Sequence, residues 1–292
     1  MEYLEIFANS FVGTVNWTWR SIIFNVPWYN NYFWGLTLIS LIVWGLEFAF
    51  PWRKNQSIMR KDFWMDGFYM YFNFFIFSII IAGVYQVIST LFFNIGITAN
   101  SFQFLDLSAY PWWLELLIFF ILLDFVQWFT HVLLHKFTFL WQFHKVHHSV
   151  EEMGFAAHLR YHWMENILYK PLKTIGVMLI GGFEPEQAYI VHFFAITIGH
   201  LNHANVKITW GPLRYIFNNS VMHLWHHALN LPKGQRTGVN FGISLSLWDY
   251  IFKTNYIPND TGDIALGFDD MDEFPTSFAK QNLYGFGLSK KK

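Results

Sequence analysis

Apolar residues in this chain are gathered into long runs, and the length of each run decides which element it predicts. Residues 31–50, NYFWGLTLISLIVWGLEFAF, hold one charge, Glu47, and a helix of that length covers the roughly 30 Å of a bilayer's hydrocarbon layer. This run predicts a first membrane span. Two more, roughly 68–93 and 112–134, predict a second and a third. The next apolar region, PLKTIGVMLIGGFEPEQAYIVHFFAITIGH, is broken by Gly181, Gly182 and Pro185. Each half is short for a span, so the pair predicts a helical hairpin that dips into the membrane and returns, with two tight full spans as the alternative. The N-terminal residues, with Trp17, Trp19 and Trp28 among apolar neighbours, predict an interfacial segment, because Trp favours that boundary. Residues 228–292 are rich in Gly, Pro, Asp and Asn and predict an irregular soluble cap ending in Lys290, Lys291 and Lys292.

Composition supports a membrane protein: of 292 residues, 54% are hydrophobic, 22% aromatic and only 13% charged, far from an ordinary soluble domain. A formal net charge of -1 leaves no surplus of Lys and Arg for a phosphate backbone, so no nucleic-acid partner is expected. The chain has no cysteine. That excludes disulfides, thiolate-ligated haem, cysteine-held iron–sulfur clusters and a cysteine nucleophile, and leaves nitrogen and oxygen to hold any metal. The N-terminus, MEYLEIFANSF, has two acids and no basic n-region and does not read as a cleaved signal.

Charge also orients the spans. Arg53, Lys54, Arg60 and Lys61 follow the first run, and no Lys or Arg then appears until Lys136. The positive-inside rule puts the 51–62 loop in the cytoplasm and the 94–111 loop on the far side. The third span therefore delivers His131 and His135 to the cytoplasmic end. The basic stretches at 51–61 and 160–173 have two readings, as a dock for an acidic partner or as anchors at the headgroup boundary.

All 13 histidines fall between positions 131 and 227. At about 100° per residue, Asp124, Trp128, His131 and His135 share one helical stripe, and each HxxHH box spans an arc of about 100°. His144, His147 and His148 form one such box, His223, His226 and His227 another, and His200 and His203 are helical neighbours. Imidazole suits Fe, Zn, Cu and Ni. Eight to ten convergent rings are too many for one ion and suit two. Asp124 is a candidate acceptor for a ligand N–H, which would fix ring orientation; Asp124, Glu165 and Asp249 read equally well as capping or helix-surface residues. Lone histidines such as His158 and His192 read first as packed core residues.

HVLLH at 131–135, HKVHH at 144–148 and HLWHH at 223–227 resemble the three histidine boxes of the fatty acid hydroxylase and sterol desaturase superfamily. LRYHWMEN at 159–166 is similar to a family segment of the form RxHPxE, with Trp163 in place of proline, and SLWDYIFKTNY at 246–256 resembles that family's closing Trp–Asp stretch. The resemblance implies a membrane di-iron centre that activates O2 and oxidises an unactivated C–H bond of a lipid. It carries His131, His135, His144, His147, His148, His223, His226 and His227 over as metal ligands, with His200 and His203 in a slot upstream of the last box, and His162 and His158 as possible additions. Two Fe ions are the implied cofactor, with O2 as co-substrate, and Zn is able to replace them in purified material. The organisation it implies is an all-α integral membrane helical protein with three to five spans or half-spans and a cytoplasmic histidine-rich catalytic cap. Its parts are an interfacial segment at 1–30, a transmembrane anchor at 31–111, a di-metal domain at 112–256 and a tail at 257–292.

Three function classes remain in view. The first is a lipid hydroxylase acting on a fatty acyl, sphingolipid or sterol-like substrate, with desaturation and alkylglycerol-ether cleavage as variants on similar boxes. A metal transporter would spread ligands along a mid-membrane path, and a haem carrier would use paired axial histidines that adjacent residues such as His147 and His148 serve poorly. For the oxygenase no GxGxxG segment or haem domain is present, so a ferredoxin, cytochrome b5 or flavoprotein is expected to bring electrons. The expected location is a bacterial inner membrane or the endoplasmic reticulum, with the active site on the cytoplasmic side.

Overall fold

The computed structural model describes residues 2–181, 185–258 and 264–289; Gly182 and the terminal lysines lie outside them. Regular structure among the described residues is almost all helix. Helix α1 (Glu2–Ile22) leads into α2 (Tyr32–Ala49), where Asn31 caps the first turn by accepting from the Trp34 amide at 3.2 Å. One long continuous helix follows, α3 (Phe63–Tyr71) running through a π-helical segment at Phe72–Ile76 into α4 (Phe77–Asn94). Then come α5 (Trp112–Lys136), α6 (Thr138–His148), α7 (Trp163–Leu179) and α8 (Pro185–His203). Three short helices complete the order: α9 (Ser220–His226), α10 (Leu247–Phe252) and α11 (Phe278–Tyr284).

Three helical stretches, Tyr32–Ala49, Phe63–Asn94 and Trp112–Lys136, are long and apolar enough to cross a bilayer. Their outer faces expose Leu38, Leu41, Ile42, Ile80 and Leu117, as expected where lipid replaces water. The chain is an all-α integral membrane protein. α1 is not a detached surface segment, because it packs along α4, where the Phe7 ring lies so close to Gly83 that a Cβ there would overlap it.

The end of α7 and the start of α8 are tied to the start of α5. Strand β2 (Ile180–Gly181), after α7, pairs in parallel with β1 (Leu105–Asp106), just ahead of α5. At the start of α8, Gln187 donates to Glu115 of the first α5 turn at 2.9 Å. The tip of the pair therefore reaches the N-terminal level of α5. At the opposite end, the 51–62 loop joins the segments after α6 and α8: the Trp52 amide donates to the Asn205 carbonyl at 2.8 Å, and Lys61 pairs with Glu151 at 2.7 Å. Buried Leu36, Met70, Phe75, Leu159 and Ile196 tie α2, α3, the π turn and α8 into one core beneath this end.

Candidate metal centre

Four helices end at one place, and each brings imidazoles. The last turns of α5, the C-terminal turns of α6, the end of α8 and the short α9 gather nine of them in two groups. His131, His135, His144, His148 and His226 form one, and His147, His203, His223 and His227 the other; within each, the candidate ligand atoms all lie within 4.8 Å of one another. All are buried except His135, which is partly so. Burial, reinforced by the neighbouring rings, holds His144, His148, His223, His226 and His227 well below the usual histidine value. His147, lowered chiefly by burial, sits at about 3. These rings are neutral, with lone pairs free to bind a cation.

Which nitrogen carries the proton is decided by the outer shell. His131 Nδ1 donates to the Phe241 carbonyl at 2.8 Å, His135 Nδ1 to Thr237 at 3.0 Å, and His147 Nδ1 to Arg160 at 3.0 Å. His203 Nδ1 donates to the Gly199 carbonyl and His226 Nδ1 to that of Val239, both at 2.8 Å. His144 Nδ1 meets Glu165 Oε2 at 3.1 Å. Oxygens of carbonyls accept only, so the proton sits on Nδ1 and the unprotonated Nε2 turns inward. Several Nε2 atoms face each other: His131 and His144 at 3.1 Å, His135 and His148 at 3.1 Å, and His203 with His147 at 3.3 Å and with His223 at 2.9 Å. Where both rings give Nδ1–H to a carbonyl, as His203 and His147 do, no proton lies between the Nε2 atoms and the pair repels unless a cation lies among them. Ligands about 2.0–2.1 Å from a transition metal stand about 2.9–3.4 Å apart at octahedral to tetrahedral angles. The cage has the dimensions of a metal centre, and its donor set suits a first-row transition ion.

Buried polar residues hold this cage from behind. Arg160 donates to Asp66 Oδ1 at 2.8 Å, Asp62 at 3.1 Å, Ser149 Oγ at 2.8 Å and the Val146 carbonyl at 3.2 Å, while its own carbonyl receives His147. The basic stretch at 160–173 is thus no docking surface at its first member. Glu47 Oε1 accepts the Phe155 and Asn205 amides, each at 2.8 Å. Asp249 Oδ1 accepts the Trp128 indole at 3.1 Å and the Phe241 amide at 2.9 Å, Oδ2 accepts the Gly242 amide at 2.8 Å, and Oδ1 also accepts the Thr254 hydroxyl at 2.6 Å. It thereby fixes the carbonyl that orients His131.

Other candidates lie elsewhere. Asp124 accepts no ligand N–H; it takes the Ser244 and Leu245 amides and the Trp248 indole at 3.2, 3.3 and 2.9 Å. Its stripe is shared with His131, but seven residues of helix put it about 10 Å away along the axis. The role expected of it falls to Glu165. His162 turns away: its Nδ1 accepts the Met164 amide at 3.0 Å as the N-cap of α7, and its Nε2 donates to the Asn282 carbonyl at 2.9 Å. His200 stays outside both groups, with Nε2 3.1 Å from Ser40 Oγ and Nδ1 2.8 Å from His158 Nδ1. His158 stands beside the cage, its ring 5.2 Å from that of His203. His192 is well away, stacked on Phe74 at 5.4 Å.

A cavity of about 650 Å³ opens from the cage, with His131, His144, His147, His203 and His223 in its wall. It extends between α5, α7 and α8, past Phe119, Leu123, Val191 and Ile196. Such a volume suits a lipid-sized ligand.

Fold and site together define a helical membrane protein built around a buried imidazole cage that could hold metal. Residues 116–254 match the model of the fatty acid hydroxylase family. The chain is similar to the ornithine lipid hydroxylase OlsE of Rhizobium tropici, 30% identical over 169 residues, covering 55% of this chain and 50% of that protein. The alkylglycerol monooxygenase of Danio rerio is 28% identical over 246 residues, 78% of this chain and 48% of its own, and that of Homo sapiens 28% over 187 residues, 59% and 39%. The chain spans about half the length of the curated relatives it matches, or less. No solved structure matches it.

Proposed function

We propose that the chain is a membrane-bound di-iron oxygenase that hydroxylates a lipid at an unactivated C–H bond. The observation that carries this is the pair of imidazole groups, Nε2 atoms inward, in the wall of a lipid-sized cavity. His131, His135, His144, His148 and His226 would hold one iron, and His147, His203, His223 and His227 the other. Bound there, the two ions supply activation of O2 and the oxidising power to break the C–H bond. The chain's own residues do the rest. Glu165 and backbone carbonyls aim the rings of His131, His135, His144, His147, His203 and His226, Arg160 and Asp249 hold the carbonyls behind His147 and His131 in place, and the apolar wall lays a chain against the cage and excludes water.

Inserting one atom of O2 into C–H, with the other leaving as water, consumes two electrons and two protons. An external donor, a ferredoxin, cytochrome b5 or flavoprotein, supplies the electrons. The named relatives are a hydroxylase and monooxygenases, which favours oxygen insertion over desaturation; insertion next to an ether oxygen would give the ether-cleaving outcome. A metal transporter fits less well, because the ligands form one closed cage at one end of the bundle. The test is iron content and turnover. Anaerobically loaded protein is expected to hold about two irons per chain without a Soret band, and His147→Ala or His226→Ala to lose iron and activity while still accumulating in membranes. Full iron and full activity in either variant overturns the assignment.

A further inference from the structure

Two lysines stand inside the cavity with no carboxylate in hydrogen-bond or ion-pair contact. Lys170 and Lys173 lie three residues apart on α7, hence on one face, and both line the same cavity as the imidazole cage. Lys173 Nζ donates to Gln127 Oε1 at 2.5 Å and Lys170 Nζ to Ser78 Oγ at 3.4 Å. The faces of Tyr169 and Tyr85 lie 5.5 and 5.7 Å from the two ammonium groups. All of these partners are neutral. Among the described residues the ion pairs are Arg60 and Arg160 with Asp66 and Asp62, Lys61 with Glu151, and His144 with Glu165; neither lysine belongs to any. Asp124 lines the cavity too, but its oxygens are taken by Ser244, Leu245 and Trp248.

Arg160 shows how this chain treats a structural cation, with two carboxylates placed against it. Lys170 and Lys173 have no carboxylate in contact, Asp124 acting on Lys173 only at longer range, and they lie in a cavity walled by the membrane helix α5, where a charge is costly without a partner and marks a substrate path by default. We propose that they form an anion seat for the carboxylate or phosphate of a lipid substrate, so that the polar head, and not the tail alone, enters the cavity. The inference rests on the oxygenase reading of the site and adds its substrate class. It also sets where on the lipid oxidation falls. Glu165 touches the cage through His144, and Lys170 and Lys173 follow it by about 8 and 12 Å along the helix axis. A carbon several bonds from the anionic group is therefore the one presented to the metal side, with the chain lying along the apolar wall of Phe119, Phe120, Val191 and Ile196.

The test is equilibrium binding to purified full-length protein in uncharged detergent, metal-free and iron-loaded, read by native mass spectrometry. The probes share one chain length: an N-acylglycine, its methyl ester, a lysophosphatidic acid and a monoacylglycerol. The N-acylglycine or the lysophosphatidic acid is expected to bind at least tenfold more tightly than its neutral counterpart. The stronger of the two identifies a carboxylate or a phosphate seat, and equal binding means that the seat reads charge alone. K170M/K173M should abolish the preference, and K170R/K173R should retain it. Equal binding of each anion and its neutral counterpart in the unmodified protein overturns the proposal without relying on any variant, as does a preference that survives K170M/K173M. Because no turnover is measured and the metal-free protein is included, failure to load iron or to oxidise would leave this result standing.

Discussion

At the scale of single residues, the centre depends as much on what holds each ring from outside as on the rings. His144 is the only cage histidine whose Nδ1 meets a carboxylate, Glu165, among the described residues. A carboxylate makes its ligand more basic than a carbonyl does, and losing such a partner costs about 10–100-fold in metal affinity. Glu165→Gln is expected to fall in that range, read as the chelator concentration that strips half the iron. A second residue acts through space alone. Gly199 lies against the His158 ring, so that a Cβ would overlap Nε2, and its carbonyl receives His203 Nδ1. Gly199→Ala must push His158 or bend α8 at His203. Overpacking of this kind costs about 1–3 kcal/mol, and the expected readout is a lower melting temperature together with loss of iron bound by the His147 group.

At the scale of elements, α5 and α10 are joined by a crossed pair of indole–carboxylate bonds. Trp128 of α5 donates to Asp249 of α10, and Trp248 of α10 donates to Asp124 of α5, at 3.1 and 2.9 Å. Asp249→Ala would leave the Trp128 indole, the Phe241 and Gly242 amides and the Thr254 hydroxyl without their acceptor. Each buried orphan costs about 1–3 kcal/mol, so a loss of several kcal/mol in thermal or denaturant unfolding is expected. A Trp128→Phe, Asp249→Asn cycle should give a coupling of about 0.5–3 kcal/mol; additive effects would mean that the crossed bonds do not couple the helices. This lock explains how far the sequence was readable. The Trp–Asp stretch was visible as a family resemblance, but its work is nonlocal and has no period to detect. Local spacing showed that His200 and His203 neighbour each other, yet only α2, bringing Ser40 to His200, separates the ring outside the cage from the one inside it. The pairing of Ile180 and Gly181 with Leu105 and Asp106 was likewise not legible, because two residues of nonlocal strand carry no period.

At the scale of the whole molecule, the fold fixes which segments share an end, and charge then fixes which way the bundle faces. The cage end carries the 51–62 loop, the segment after α6 and the stretch after α8, tied by Trp52 to Asn205 and Lys61 to Glu151. The other end carries β1, β2 and the starts of α5 and α8. Arg53, Lys54, Lys61, Lys136 and Lys145 lie at the cage end, whereas the 95–111 loop holds Asp106 and no basic residue. Lys and Arg in short loops stay on the cytoplasmic side, so the cage is expected to face inward, where soluble reductants are found. The absence of cysteine makes this measurable with single introduced thiols. Ser108→Cys, in the exposed loop before α5, should react in intact cells with a membrane-impermeant maleimide, and Lys54→Cys, exposed beside the cage end, only after the membrane is opened. The reverse pattern would put the centre on the outer face and remove the cytoplasmic electron donor from the mechanism. Labelling of both thiols in intact cells would show that the two ends are not separated by a bilayer at all.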